Sequence, residues 1–291
     1  MTPVWFITAA SSGFGHELVL SALSRGHKVI ATARTLKKID DLKNAGADTM
    51  TLDITAPLPE LQAVVRVVEK KYGRVDYLVN AAGYILEGCI EETSPEESYQ
   101  QFNTNVFGAL NVIRAFLPLL RTQKSPESGP RATIAQFSSL GAWMGGPGCG
   151  LYVMSKAAVS MIAESLSPEL SPFNINVTAV EPGYFRTGFL TSNARVIAAN
   201  HIDVYEDENT PSGQMKKVLT AQNGQQLGDV KKGVKVLVDI LTSTGVAKGK
   251  ELPVRLILGS DCEAVIREKC NSTLRSMDEW GPIARLTDHT D

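Results

Sequence analysis

Short apolar runs alternate along this chain with longer segments whose apolar residues recur every three or four positions. The runs at 4–8, 28–32, 49–52, 75–79, 132–137, 175–180 and 254–258 predict strands. The segments 13–25, 36–45, 58–72, 95–105, 108–120, 152–170, 230–241 and 262–279 predict helices. In 58–72, Leu61, Val64, Val65 and Val68 share one face, and in 13–25 Leu18, Val19, Ala22 and Leu23 do the same. Ser94 before Pro95, with Glu97 three residues on, predicts a capped helix start. The strands are apolar without a polar face. That pattern requires cover on both sides, and with a helix after most strands it predicts an α/β architecture, a parallel sheet with helices on both faces.

One stretch breaks the rhythm. Residues 184–228 are polar, contain Pro211 and several Gly and Asn residues, and separate the sixth strand from the helix at 230–241. A connection this long inside a compact domain is more often functional than idle, so the expectation is one domain over residues 1–291 with a lid at 184–228. No internal repeat or composition break marks a second domain.

Composition narrows the class. Hydrophobic residues make up 43%, enough for a substantial core, and the net charge of −2 argues against a nucleic-acid-binding surface. The four cysteines, Cys89, Cys149, Cys262 and Cys270, lack the paired spacing of a zinc site, so no metal is expected and reduced thiols in a cytoplasmic protein are. The apolar run at Val4–Ile7 is too short for a secretory signal and has no basic leader. No apolar stretch approaches the roughly 18 residues an integral membrane segment needs.

Two places carry candidate chemistry. The first strand ends in Thr8-Ala9-Ala10-Ser11-Ser12-Gly13-Phe14-Gly15 and opens a helix. Free N–H groups and the helix dipole favour an anion there, and glycines let the backbone approach it, which suits a pyrophosphate. The second strand ends Ala31-Thr32-Ala33-Arg34-Thr35. A carboxylate here would bond the ribose of NAD; Arg34 instead offers its donor fork to a 2′-phosphate, which predicts NADP(H). Further on, Ser138 and Ser139 precede a Gly-rich connection, Tyr152 and Lys156. Positions four apart share a helix face, so Tyr152 and Lys156 form a candidate acid/base pair in which the cation favours the phenolate.

In this order the motifs resemble those of the short-chain dehydrogenase/reductase family, over about residues 3–187 with a looser match at 254–258. The family's Gly-rich turn corresponds to Thr8 through Gly15, including Ser11, Ser12, Gly13 and Phe14; its Asp-Val/Ile pair to Asp53-Ile54. Its Asn-Asn-Ala-Gly appears as Asn80-Ala81-Ala82-Gly83, its Asn-Val-x-Gly as Asn105-Val106-Phe107-Gly108, and its nicotinamide-side segment as Pro182-Gly183 with Phe185 and Thr187. The serine thirteen residues before the tyrosine is Ser139 rather than Ser138. The resemblance implies a Rossmann-type doubly wound parallel sheet of about seven strands and an NADP-linked oxidoreductase. In it Tyr152 donates a proton to a carbonyl, Lys156 holds the nicotinamide ribose, Ser139 holds the carbonyl oxygen, and Asn105 holds a relay water. It also implies a homodimer or homotetramer built on the helices at 108–120 and 152–170.

Three departures stand out. Ala9 replaces a glycine, which is tolerable at negative φ. Ala81 replaces an asparagine, and Gln136 a smaller polar residue. Ala142, Trp143, Met144, Cys149, Leu86, Tyr184, Phe185, Phe189 and Leu190 are candidate pocket walls and point to a small lipophilic ketone, of the secondary-metabolite, steroid or retinoid-like kind. Two alternatives use the same motifs: an alcohol dehydrogenase running the oxidative direction, and a catalytically idle dinucleotide-binding scaffold.

Overall fold

The structure, a computed structural model, describes residues 2–191 and 194–289. In chain order its elements are β1 (Val4–Ile7), α1 (Gly13–Ser24), β2 (Lys28–Ala33), α2 (Asp40–Asn44), β3 (Asp48–Thr51), α3 (Leu58–Tyr72), β4 (Tyr77–Asn80) and β5 (Ile85–Glu87). There follow α4 (Pro95–Phe102), α5 (Ala109–Thr122), β6 (Ala132–Phe137), α6 (Gly150–Leu170), β7 (Ile175–Pro182) and β8 (Arg195–Ile197). The chain closes with α7 (Pro211–Gln222), α8 (Val230–Leu241), β9 (Arg255–Leu258) and α9 (Ser260–Ala284).

Among the described residues, seven strands form a parallel sheet in the order β3-β2-β1-β4-β6-β7-β9. This is the Rossmann-type arrangement. Its strand order reverses between β1 and β4, and the crevice at their carboxyl ends is where such sheets take ligands. Period-two alternation sorts the strand side chains into two cores. Phe6, Ile30, Leu78, Ile134 and Val177 face α3, α5 and α6. Trp5, Ile7, Val29, Val79 and Val180 face α1 and α8. The central strands are therefore apolar on both sides, while β3 at the sheet edge is polar and partly exposed.

The predicted boundaries shift in instructive places. The segment 36–45 is not one helix: Leu36–Ile39 is a 3₁₀ turn, and Ile39, buried at φ −131°, breaks it from α2. The helices expected on either side of 105–108 are one. α4 passes into α5 through a π-helical turn at Asn103–Gly108, a local widening that is common at functional sites. The capped start of α4 is present as a reciprocal pair: the Glu97 N–H donates to Ser94 Oγ at 3.1 Å, and the Ser94 N–H to Glu97 Oε2 at 2.9 Å. The stretch 184–228 carries structure of its own, namely β8, which pairs with β5 in a second small sheet, and α7. Residues 192 and 193 within it lie outside the described residues.

Candidate active site

The turn between β1 and α1 is tied down at both ends. The Thr8 N–H donates to the Val79 carbonyl at 2.9 Å, and the Ala81 N–H donates to Thr8 Oγ1 at 3.0 Å. The bond joining the two central strands here is thus made by the Ala81 backbone, which the alanine side chain leaves intact. Gly15 is required: a Cβ there would stand 2.6 Å from the Ala9 carbonyl oxygen. Gly13 is left-handed at φ +57° and lies against Thr187, which brings the end of β7 to the mouth of α1. Ala9 is also left-handed, at φ +52°. The expectation of a negative φ is corrected: Ala9 holds a glycine's conformation at a steric cost. Ser12 is extended and makes no side-chain cap, and the first turn of α1 has no acidic residue. Its N–H groups therefore face an anion site that no side chain of α1 occupies, and the residues present fit a dinucleotide pyrophosphate.

Arg34 is exposed at the end of β2, with Thr35 extended beside it. Burial pushes the Asp53 carboxyl upward, but hydrogen bonds from the Thr55 hydroxyl and amide, helped by the Arg34 charge, outweigh it and hold the group below its usual value. Arg34 and Asp53 thus share one corner. Ile54 is buried and packs on Gly108, where a Cβ would stand 3.0 Å away. Asn80 is buried too; its amide donates to the Ala109 carbonyl at 3.2 Å and so joins β4 to α5. Asn80 and Ile54 act here as supports beneath the crevice. Ala82 and Gly83 lead out of β4, and Gly83 passes so close to Asn105 Oδ1 and Lys156 Nζ that a Cβ would stand 3.2 Å from each.

The four candidate catalytic groups converge. Ser139 Oγ accepts from the Gly141 N–H at 3.1 Å, and its hydroxyl favours the ionised form of the Tyr152 phenol. Ser138 points elsewhere, donating to the Lys156 backbone carbonyl at 2.8 Å. Lys156 Nζ is buried, lies 5.8 Å from the Tyr152 ring centre and donates to the Phe137 carbonyl at 2.8 Å. Burial alone lowers the ammonium to about 8. Burial raises the Tyr152 hydroxyl, against the pull of Ser139, and Cys149 and Tyr184 add to the rise. In the protein by itself the phenol is therefore held protonated, the opposite of the depression the Tyr/Lys spacing predicts. The largest cause is burial of the phenol, while Lys156 gives its hydrogen bond to the Phe137 carbonyl.

Asn105 sits in the π turn. Its amide clamps the Tyr84 backbone, accepting from N–H at 3.1 Å and donating to C=O at 3.0 Å, and its second N–H donates to Ser155 Oγ at 3.0 Å. Both N–H donors are engaged, which leaves only acceptor capacity on Oδ1 toward Lys156. The relay-water role expected of its side chain is narrowed to that one lone pair.

The predicted pocket walls divide. Phe189 packs on Tyr152 with ring centres 5.9 Å apart, and Cys149 and Tyr184 lie near enough for their ionised forms to disfavour a Tyr152 phenolate. These line the reacting end. Phe185 does not: its ring lies edge-on to Phe14 at 5.0 Å and fills the space a side chain at Gly228 or Gly233 would need. It packs the α1–α8 side. Trp143 is turned from the pocket by its indole N–H, which donates to Glu181 Oε2 at 2.7 Å, while the Arg255 guanidinium stacks 3.8 Å from the ring centre. Pro182 and Gly183 end β7; the Gly183 N–H donates to the Leu258 carbonyl at 2.8 Å, and the next N–H, of Tyr184, donates to Asp261.

Glu181 is a buried hub beside the site that the motifs do not include. It is fully buried, receives Trp143, Ser160 and Arg255, and through Ser160 reaches Ser138, 2.8 Å further on. The signal in the sequence is a carboxylate directly after an apolar strand run and before Pro182-Gly183. A small cavity lies between β5, β8 and α7, lined by Glu87, Cys89, Glu92, His201 and Leu219 among others; neither Tyr152 nor Ser139 lines it.

With this geometry in place, comparison with known proteins is direct. A family model for short chain dehydrogenases matches residues 3–196, and the chain belongs to that family. Oxidoreductase BOA17 of Botryotinia fuckeliana is 32% identical over 288 residues, covering 98% of each chain. The crystal structure of a short-chain dehydrogenase from Streptomyces avermitilis superposes with a TM-score of 0.85 at 32% identity, over 99% of this chain and 100% of that one. An actinorhodin polyketide ketoreductase variant solved with NADPH gives 0.69 at 25% identity, over 88% and 95%. The protein is an oxidoreductase of this family. Among the described residues, no helix is long and apolar enough to cross a membrane.

Proposed function

We propose that the protein is an NADPH-dependent ketoreductase that reduces a small lipophilic ketone. The observation that carries this reading is the joint placement of Ser139, Tyr152 and Lys156 at the carboxyl end of the sheet, with Lys156 Nζ buried 5.8 Å from the Tyr152 ring centre. A bound nicotinamide supplies a hydride to the carbonyl carbon. The α1 N-terminus with Ser11, Ser12 and Gly13 holds the pyrophosphate, Arg34 and Thr35 the 2′-phosphate, Asp53 the adenine side, and Lys156 with Thr187 the nicotinamide end. Tyr152, held protonated by burial, delivers a proton to the carbonyl oxygen, and Ser139 stabilises the negative charge developing there. Buried Lys156 keeps a positive charge near the phenolate that results and refills it.

Support for NADP over NAD comes from Arg34 and the absence of a carboxylate at the end of β2. Support for ketone reduction comes from the polyketide ketoreductase among the structural neighbours. The apolar side of the site, with Phe189, Tyr184 and Cys149, suits an aromatic or polycyclic ketone of the kind secondary metabolism produces, and residues 184–228 act as the lid over it. The test is a panel of lipophilic ketones assayed with NADPH and with NADH. The reading predicts reduction of aromatic and polycyclic ketones with NADPH and at least about tenfold lower kcat/KM with NADH. Tight NADPH binding with no turnover across the panel would support a dinucleotide-binding scaffold instead.

A further inference from the structure

The last helix leaves the body of the protein. α9 begins against β9 and the turn after Ser139, where it buries Cys262 and half-buries Val265 and Ile266. From residue 267 onward it is almost wholly exposed, with Leu274 at 57%, Met277 at 62%, Trp280 at 58% and Ile283 at 56%. That is about 27 Å of helix carrying large apolar side chains into solvent. An isolated helix of this length is marginal in water without packing against an apolar face.

Part of this surface is ordered. Ile266, half-buried at the base, then Cys270, Thr273, Met277, Trp280 and Ala284 follow alternating steps of four and three, the spacing of a helix-pairing seam, while Ile283 lies off it. Leu274 and Gly281 widen it. Arg267 and Asp278 are eleven residues apart, which on a helix puts them within about 20° of each other on one flank of that seam. When two identical helices pair antiparallel about a dyad, each flank meets its own copy. Setting Arg267 against Asp278 of the second copy then forms two reciprocal opposite-charge contacts and places the dyad between Ser272 and Thr273. In the same register Lys269 faces Ser276, so no like charges oppose each other. Residues 260–289 hold six carboxylates against four basic residues, which disfavours an anionic lipid surface as the occupant.

We propose that α9 is an association helix that pairs antiparallel with α9 of a second copy of this chain, with Arg267 and Asp278 fixing the register. This contact is separate from the helices at 108–120 and 152–170. The test is the mass of the full chain by sedimentation over a concentration series. Leu274→Glu with Trp280→Glu halves the mass of the assembly and leaves the far-UV dichroism unchanged. Arg267→Asp weakens association about tenfold through two reciprocal repulsions, and adding Asp278→Arg restores it, a rescue that a purely structural role for Arg267 would not give. In a Cys270→Ser background, Thr273→Cys forms a disulfide-linked dimer on oxidation. A monomeric wild-type chain overturns the proposal. So does an assembly mass that the seam variants leave unchanged, a charge swap that fails to rescue, or flotation of the wild type with zwitterionic vesicles in place of self-association.

Discussion

Lys156 donates its hydrogen bond to the backbone carbonyl of Phe137, at 2.8 Å, and not to the phenol one helical turn before it. The ammonium is buried, and burial lowers it to about 8. Unfolded, the same lysine titrates near its ordinary value of 10.5. Between those values the unfolded chain binds more protons than the folded one, so stability rises with pH across that window. The cofactor-free protein should gain about 1 kcal/mol between about pH 7 and pH 9 relative to Lys156→Met. Urea unfolding of both at the two pH values measures it; parallel curves would place the lysine charge in solvent.

Ala9 at φ +52° predicts an effect that runs against the usual cost of glycine. Ala9→Gly removes the left-handed strain and should stabilise the protein by about 1 kcal/mol despite the added chain entropy. The midpoint of denaturant unfolding reports this directly. A destabilised variant would show that the turn relaxes around the methyl.

Glu181 predicts a graded response. Glu181→Leu leaves Arg255 and the Trp143 N–H without their buried partner, and loss of one member of such a pair costs about 3–5 kcal/mol. Glu181→Gln keeps an acceptor for Trp143 and should fall between the two. Tryptophan emission should follow the same order, because Leu removes both the Trp143 acceptor and the partner of the stacked Arg255 guanidinium, whereas Gln removes only the charge. Equal effects of Leu and Gln would mean that side-chain volume, not hydrogen bonding, holds this turn.

Much of this arrangement is legible in the sequence, for a physical reason. Both faces of the central strands are buried, so their positions are apolar, and the helix faces keep their period because each covers one core. Ser139 is separable from Ser138 by its spacing to Tyr152. Non-local terms hide the rest. The β5–β8 pair has three residues per strand and is held by a buried ion pair between Glu87 and Arg195, far apart in the chain. No local pattern marks it. The direction of the Tyr152 shift depends on burial of the phenol, and the roles of Trp143 and Phe185 depend on Glu181 and on Gly228 and Gly233. Each is a contact between segments whose own patterns are ordinary.

Arg34 predicts cofactor choice. Arg34→Ala removes a charge-assisted contact of roughly 1.5–3 kcal/mol, so kcat/KM with NADPH should fall by about ten- to a hundredfold while the value with NADH changes little. Equal losses with both cofactors would make Arg34 a support for the loop and not a reader of the 2′-phosphate.

The most direct measurement is turnover of Tyr152→Phe with a ketone accepted by the wild type, alongside NADPH binding by nicotinamide fluorescence. The substitution removes one hydroxyl and keeps the ring against Phe189. Ketone reduction should be lost, by at least about a hundredfold, with NADPH affinity retained. Near-normal turnover in that variant would contradict Tyr152 as the proton donor.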